Sequence, residues 1–243
     1  MAIITFATDP DGAHEAFRRD GFFIEPELFS PAECDALIEL ARGFPSALDG
    51  TLLPAMNPHR FAPEVLRTMR HPPLRGIMER LLGGRILGLQ TELFFGRPGT
   101  KGFAIHQDNH YVRAPYDAFG SAWLALDDVD PGNGSLIVYP GSHREGLLDV
   151  RDTGRSASAG QDPNARSQEA VLPADYRPFD VVARRGSVVL IHGHVAHSSH
   201  DNVSADRFRH VLLMTYIRDG APFRSGRYAR REAFDLHDGT AAT

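Results

Sequence analysis

Apolar positions in the first third of the chain keep a helical period. In "FSPAECDALIELAR" they fall at Cys34, Leu37, Ile38 and Ala41, the spacing of one buried stripe. Ser30 stands where an N-cap is needed, Pro31 suits the first helical position and Glu33 completes a capping box. An earlier helix is expected over Ala13 to Arg19, stopped by Gly21. A third is expected from about Leu74 to Leu82, ending at Gly83-Gly84. All three are expected to pack on the outside of a sheet.

At Arg85 the period changes. "RILGLQTELFFG", "SAWLALDDV", "GSLIVYPG", "FDVVARRGSVVLIHG" and "RHVLLMTYIRD" read as strands punctuated by Gly, Pro and Asp. No long helical pattern separates them, so a parallel βαβ sheet is not expected. Many strands with Gly/Pro corners suggest an antiparallel jelly roll. The polar stretch Arg151 to Ala170 reads as a long loop inserted between strands. No internal repeat and no boundary between folding units is visible. The expectation is a mainly β fold with flanking helices in one domain: 1–84 mostly helical, 85–220 the jelly-roll (cupin-like) core and 221–243 a C-terminal tail.

Composition changes this picture little. The chain has 243 residues, 42% hydrophobic and 23% charged, with a net charge of −5, ordinary for a globular protein. No run of Lys or Arg exceeds two residues, which argues against a nucleic-acid or anionic-membrane surface. Cys34 is the only cysteine, which fits a reducing compartment. The N-terminal apolar run is too short for a signal peptide and has no basic region before it. No apolar run approaches the ~20 residues that span a bilayer. A cytoplasmic protein is expected, monomeric or homodimeric.

The chemistry concentrates in "AIHQDNHYV", Ala104 to Val112. In a strand, His106 and Asp108 face the same side, and an imidazole and a carboxylate so placed can hold one metal ion. A two-residue motif recurs by chance, so a solvated loop is the competing reading until a third ligand is found. "GSVVLIHGHVAHSSHDN" offers His192, His194, His197 and His200. Shortly after, Arg207 and Arg209 lead into an apolar strand, where a guanidinium is costly unless it meets an anion. Two His and one Asp leave three positions open on Fe(II). A 2-oxo acid can fill two and O2 the third, while an arginine fork holds the distal carboxylate of that acid.

These segments resemble the phytanoyl-CoA dioxygenase family of Fe(II)/2-oxoglutarate oxygenases. "RRDGFFIEPELFSPAECDAL" is similar to the opening of that family and "LQTELFFGRPGTKGFAIHQDNHY" to the strand leading into its first two ligands. "AWLALDDVDPGNGSLIVYPGSHREG" and "GSVVLIHGHVAHSSHDN" followed by "RFRHVLLMTY" are similar to its later blocks. The resemblance covers most of the chain. It implies a double-stranded β-helix with iron between two sheets, ligated by His106, Asp108 and His197, the last because it precedes "SS" and Asn202. It also implies 2-oxoglutarate held by Arg209 rather than Arg207, with Ser199, Trp123 and Gln107 near the co-substrate. Ser198 stands where members usually carry Gly, and so does His200, which puts the local backbone in question.

The implied activity is hydroxylation, or another oxidation, of a small molecule through an Fe(IV)=O intermediate, with release of succinate and CO2. Members that halogenate lack a carboxylate at the position of Asp108. His143 is expected to bond backbone, and Asp127, Asp128 and Asp130 to form a solvated turn rather than a cation loop. Leu93, Phe94 and Phe95 are expected in the core. His110, Tyr111 and Arg113 are candidates for substrate contact. The rival classes are a non-oxidative Zn or Mn hydrolase or isomerase on the same ligands and a non-catalytic binding protein. No basic cluster stands out for the phosphates of CoA, so the expected substrate is an amino-acid-like or natural-product metabolite.

Overall fold

The computed structural model describes residues 4–154 and 167–237. The N-terminal helices form where their caps are strongest. Helix α1 (Pro10–Asp20) is capped by the Asp9 carboxylate, which accepts from Gly12 N, and it stops at Gly21 in the left-handed region. After strand β1 (Phe22–Glu25), helix α2 (Pro31–Arg42) carries the full capping box of Ser30 and Glu33. Helix α5 (Pro72–Leu82) ends at left-handed Gly83. Between α2 and α5 lie α3 (Pro45–Leu48), the short strand β2 (Ala55–Met56) and α4 (Pro63–Met69). Neither α3 nor α4 is visible in the apolar pattern, because a helix of one or two turns has no room for a repeated stripe. Their only signal is a proline at the first position.

The strands that follow are β3 (Ile86–Gly96), β4 (Phe119–Ala125), β5 (Leu136–Val138), β6 (Val150–Asp152), β7 (Gln168–Ala170), β8 (Phe179–Asp180), β9 (Val188–His192), β10 (His197–Ser199), β11 (Arg209–Arg218) and β12 (Phe234–Asp235). The large sheet runs β1-β9-β4-β11-β3-β12, with β2 also on β3, and the small sheet runs β10-β5-β8. Every pairing is antiparallel. β1, β2 and β12 lie outside 85–220, so the large sheet draws on both flanking segments.

The stretch expected as one loop from Arg151 to Ala170 differs at its ends, where β6 and β7 pair as a ribbon. The middle of that stretch, 155–166, lies outside the described residues.

The large sheet is covered on both faces. Leu212, Met214, Tyr216, Leu124 and Leu190 face the helices, while Val211, Trp123, Val189 and Ile191 face the small sheet. Two buried faces explain why β9 and β11 read as continuous apolar runs rather than as alternating ones. On β3 the alternation shifts at a bulge opposite Thr215/Tyr216, after which Gln90, Glu92 and Phe94 share the face turned to the small sheet. Cys34 lies on the buried face of α2. Among the described residues no helix is long and apolar enough to cross a membrane.

The turn before β9 is tied to the start of α2 through Gly186, whose O accepts from Phe29 N at 3.0 Å. Gly186 has φ +83°, and an added Cβ would lie 2.0 Å from Phe29 O. Gly50 has φ +76° with nothing within 4 Å of the same position. Gly50→Ala is expected to cost only the left-handed backbone, about 1–2 kcal/mol. Gly186→Ala should cost more, beyond about 3 kcal/mol, because backbone must also move. Denaturant unfolding of the two variants checks the difference.

Candidate metal centre and cavity

The segment Ala104–Val112 is not a continuous strand. His106 forms an isolated antiparallel bridge with His197, and Asp108 begins a one-turn helix, α6 (Asp108–Val112). Gln107 between them is extended, at φ −122° and ψ 128°, so the side chains at i and i+2 still emerge together. The bridge brings the second imidazole across from β10, the edge strand of the small sheet.

Each imidazole is oriented by its own backbone neighbourhood. His106 Nδ1 lies 2.9 Å from Ala104 O and His197 Nδ1 lies 3.1 Å from Val195 O. A carbonyl only accepts, so both Nδ1 atoms carry the proton and both Nε2 lone pairs are left for another partner. Those Nε2 atoms stand 3.7 and 3.6 Å from Asp108 Oδ1, and the three donors lie within 4.8 Å of one another. Ser121 Oγ donates to the other carboxylate oxygen, Oδ2, at 2.6 Å. Burial, and then the neighbouring His197, lower the His106 pKa to about 4. Burial alone would raise Asp108; the adjacent His197 and His106, with the Ser121 hydrogen bond, hold it below its usual value. Among the described residues this is the one His/Cys/Asp/Glu group whose geometry fits a metal ion.

The three donors open onto a cavity of about 410 Å³ between the sheets. Arg209, Trp123 and Ser199 also line it. Arg209 is buried, its Nη1 donates to Gly134 O at 2.9 Å, and its Nε has no partner. Burial draws its pKa down to about 10. Gly96 makes room for it, since a Cβ there would lie 2.9 Å from Arg209 Nε. Arg207, two residues away, is instead at the surface in a two-point ion pair with Asp130, at 2.6 and 2.9 Å. Ser199 Oγ accepts from Phe103 N at 2.9 Å.

Gln107, expected near the co-substrate, does not line this cavity. Its amide is taken up by Gly146 O, His194 O and Leu148 N. It braces the loop that carries the first two donors.

The remaining histidines separate cleanly. His192 donates through Nε2 to Asp117 at 2.9 Å and accepts from His194 N through Nδ1 at 3.1 Å. His194 Nε2 meets Asn109 Nδ2 at 3.1 Å, and His200 meets Asp180 at 2.8 Å. None of the three lines the cavity. His143 bonds Arg18 O at 3.1 Å, tying α1 to the loop after β5. Asp127 accepts from His210, Asp128 from Arg185 N and Asp130 from Gly132 N, as in a structural turn. Tyr111 lines the cavity, while His110 and Arg113 do not.

Sequence reasoning missed one wall. Gln90 and Glu92, alternating with apolar residues on β3, face into the cavity beside Phe94. Two polar side chains at i and i+2 in an apolar strand were the available signal. Arg224, Arg227 and Arg231, from the segment after β11, also line the cavity, so a basic cluster exists although no run in the sequence announces it.

The sequence profile of the phytanoyl-CoA dioxygenase family matches residues 17–211, and the chain belongs to that family. The L-proline trans-4-hydroxylase of Streptomyces griseoviridis is 33% identical over 181 residues, spanning 66% of this chain and 65% of that protein. The ectoine dioxygenase of Nocardia farcinica is 30% identical over 223 residues, spanning 82% and 74%. A phytanoyl-CoA dioxygenase of Arabidopsis thaliana is 28% identical over 145 residues, 59% of this chain and 49% of that protein. The chain thus spans about half the length of the plant relatives it matches.

Two solved structures share the fold. The α-ketoglutarate-dependent carbocyclase SnoK superposes with a TM-score of 0.72 at 21% identity, covering 94% of this chain and 91% of that one. The epimerase SnoN, in complex with Fe3+, α-ketoglutarate and nogalamycin RO, gives 0.71 at 23% identity, covering 97% and 93%. The double-stranded β-helix expected from the sequence is therefore the fold of this chain.

Three buried or half-buried imidazoles make stability pH-dependent. Burial is the first cause that lowers His59, His143 and His194 from 6.5 to about 4. Unfolded, each takes up a proton near pH 6.5; folded, each resists until about pH 4. Acidification through that window loads protons on the unfolded chain alone, so stability should fall from pH 6.5 towards 4 and be flat above it. Thermal unfolding of the metal-free protein across this range measures the slope, and His143→Gln should reduce it.

Proposed function

We propose that this chain is a non-haem Fe(II)- and 2-oxoglutarate-dependent dioxygenase that oxidises a small metabolite, most simply by hydroxylation. His106, Asp108 and His197 are the metal ligands and Arg209 is the anchor for 2-oxoglutarate. One observation carries the reading: two Nε2 lone pairs and a carboxylate oxygen converge on a cavity that also holds a buried guanidinium with an unpartnered Nε. The donor set fits the ion, since two neutral imidazoles and one carboxylate are the two-His, one-carboxylate arrangement of Fe(II) oxygenases. Bound iron supplies the activation of O2 that couples decarboxylation of 2-oxoglutarate, to succinate and CO2, with oxidation of the substrate.

The protein's own part is to hold and exclude. Ala104 O and Val195 O fix the two imidazole tautomers, and Ser121 keeps one carboxylate oxygen occupied so that the other faces the ion. Arg209 offers paired donors to the distal carboxylate of 2-oxoglutarate in a site too dry to solvate it. Phe94, Trp123 and Leu213 keep water from the reacting groups.

A Zn or Mn hydrolase on the same ligands has no use for that second cation, so the non-oxidative alternative is not favoured. Relatives named for proline and ectoine support a small-molecule substrate. The described residues are read as one catalytic unit, and the compartment as cytoplasmic.

His106→Ala, Asp108→Ala and His197→Ala should each lose bound iron and succinate formation. His192→Ala and His194→Ala should retain iron, because neither side chain reaches the cavity. Metal content and turnover of the five variants decide this, and an iron-free His192→Ala beside an iron-replete His197→Ala would reverse the ligand assignment.

Arg209→Ala leaves the co-substrate carboxylate unpaired, a cost of about 2–5 kcal/mol, and should raise KM for 2-oxoglutarate by tens- to thousands-fold. Arg209→Lys should fall between, and Arg207→Ala should match wild type. Succinate formation against 2-oxoglutarate concentration tests it; an unchanged KM in Arg209→Ala would remove that anchor.

A further inference from the structure

Asp108 sits on a helical turn too short to hold itself. A single turn fixes many dihedrals for few hydrogen bonds, and α6 spans only 5 residues. It ends at Arg113, whose φ of +58° puts a non-glycine residue in the left-handed region, a conformation that persists where neighbours impose it. At its start the turn is anchored to the stretch before β10, since Asn109 N donates to Gly193 O at 2.8 Å. Its other end depends on whatever meets the last carbonyls.

The segment between β11 and β12 meets them. Arg224 Nη2 donates to His110 O at 2.8 Å and Arg224 Nε to Tyr111 O at 3.0 Å. Arg224 N donates to Val112 O at 2.6 Å, and Arg231 Nη1 adds a longer bond to Tyr111 O at 3.3 Å. The final three carbonyls of α6 are thus all satisfied from one distant segment. A guanidinium suits this place, because a cation near the end of a helix bonds its last carbonyls and charge strengthens those bonds.

That segment is itself closed and clipped. Arg231 N donates to Ser225 O at 2.9 Å, Arg230 N to Gly226 O at 3.1 Å and Ser225 Oγ to Arg231 O at 3.0 Å. Asn57 Nδ2 donates to Ala229 O at 2.7 Å and Arg60 Nη2 to Arg230 O at 2.5 Å, which ties the loop to the turn after β2. Burial lowers the Arg231 pKa, and the nearby charges of Glu92 and Asp108 act against that. A closed loop with two arginines on α6 is a brace. It fixes where the turn lies, and with it the carboxylate at the first position.

We propose that Arg224 is a positioning residue for Asp108. By capping α6 through the carbonyls of His110 and Tyr111, it keeps that ligand where the two Nε2 lone pairs converge. The loop from Arg224 to Arg231 and the metal-binding turn are then ordered as one unit. This rests on the reading of His106, Asp108 and His197 as metal ligands. Such coupling is reciprocal: if the loop favours iron, iron orders the loop, although the loop supplies no ligand.

Charge alone makes the opposite prediction. Removing a cation from the neighbourhood of a dication strengthens its binding, so an arginine acting only through its field opposes iron. Arg227 is the control. It belongs to the same loop and lines the same cavity, but its guanidinium lies 5.7 Å from the Tyr228 ring centre rather than on α6.

Fe(II) affinity is measured anaerobically, without 2-oxoglutarate, by competition with a chromophoric chelator. Arg224→Gln is expected to weaken it about tenfold or more, as loss of a group that orients a metal ligand does. Arg224→Lys should restore part of that loss, since an ammonium keeps the charge and one bond at the helix end. Arg227→Gln should bind iron as tightly as wild type, or more tightly. Arg224 is exposed, so replacing it opens no core.

Amide exchange on the wild-type protein tests the reciprocal effect and needs no variant. Fe(II) should slow exchange at Arg224, Arg230 and Arg231 N and leave Leu48 and Leu52 N, in and after α3, unchanged. Loop exchange that Fe(II) does not slow overturns the proposal. So does an Arg224→Gln affinity equal to or tighter than wild type, or an equal loss in Arg227→Gln. His106→Ala keeps the two readings apart. If it loses iron while Arg224→Gln binds as wild type does, only the positioning role fails. If His106→Ala binds iron as wild type does, the ligand reading fails and the positioning role with it.

Discussion

Two hydrogen bonds hold the site together. His106 N donates to His197 O at 2.8 Å and His197 N donates to His106 O at 2.9 Å. This single rung joins the loop after β3 to the edge of the small sheet, and it brings the two imidazole rings to 4.2 Å between centres. Asp108 then needs only the extended Gln107 between it and His106 to reach the same point. Much else in the molecule serves to keep that rung dry and in register. The large sheet carries helices on its back, Gln107 is clamped by three backbone partners, and Asn109 N is tied to Gly193 O at 2.8 Å.

What the sequence revealed follows from how local each signal is. The capping box at Ser30 and the glycine stops at Gly21 and Gly83 are complete within a few residues, and those helices stand where the pattern puts them. Strands β9 and β11 were legible because burial on both faces leaves continuous apolar runs. Short elements were not: α3, α4 and α6 are stabilised by what packs around them. Asp108 was expected on a strand and sits on a helical turn, yet the inference of shared facing survived because it needed only one extended residue.

The charged residues divide on the same ground. Arg209 stood out because a guanidinium leading into an apolar strand demands an explanation. The opposite fate of Arg207, paired with Asp130 at the surface, depended on a loop fold no local pattern encodes. Glu92 and Arg231 lie far apart along the chain and meet only across the cavity, one on β3 and the other on a segment whose course is set by carbonyls of Tyr111, Arg224 and Ser225. Their separate contexts, an acid in a strand and a base in an irregular tail, carry no mark of each other.

The segment that supplies Arg231 runs between β11 and β12, and β12 fastens its far side to β3. The family profile ends at residue 211, before that segment begins. The cavity is thus lined partly by residues inside the matched range and partly by residues beyond it. The rung between His106 and His197 is made of backbone hydrogen bonds to which that segment contributes no atom. Membership of such a family says how a molecule is oxidised and leaves open which one.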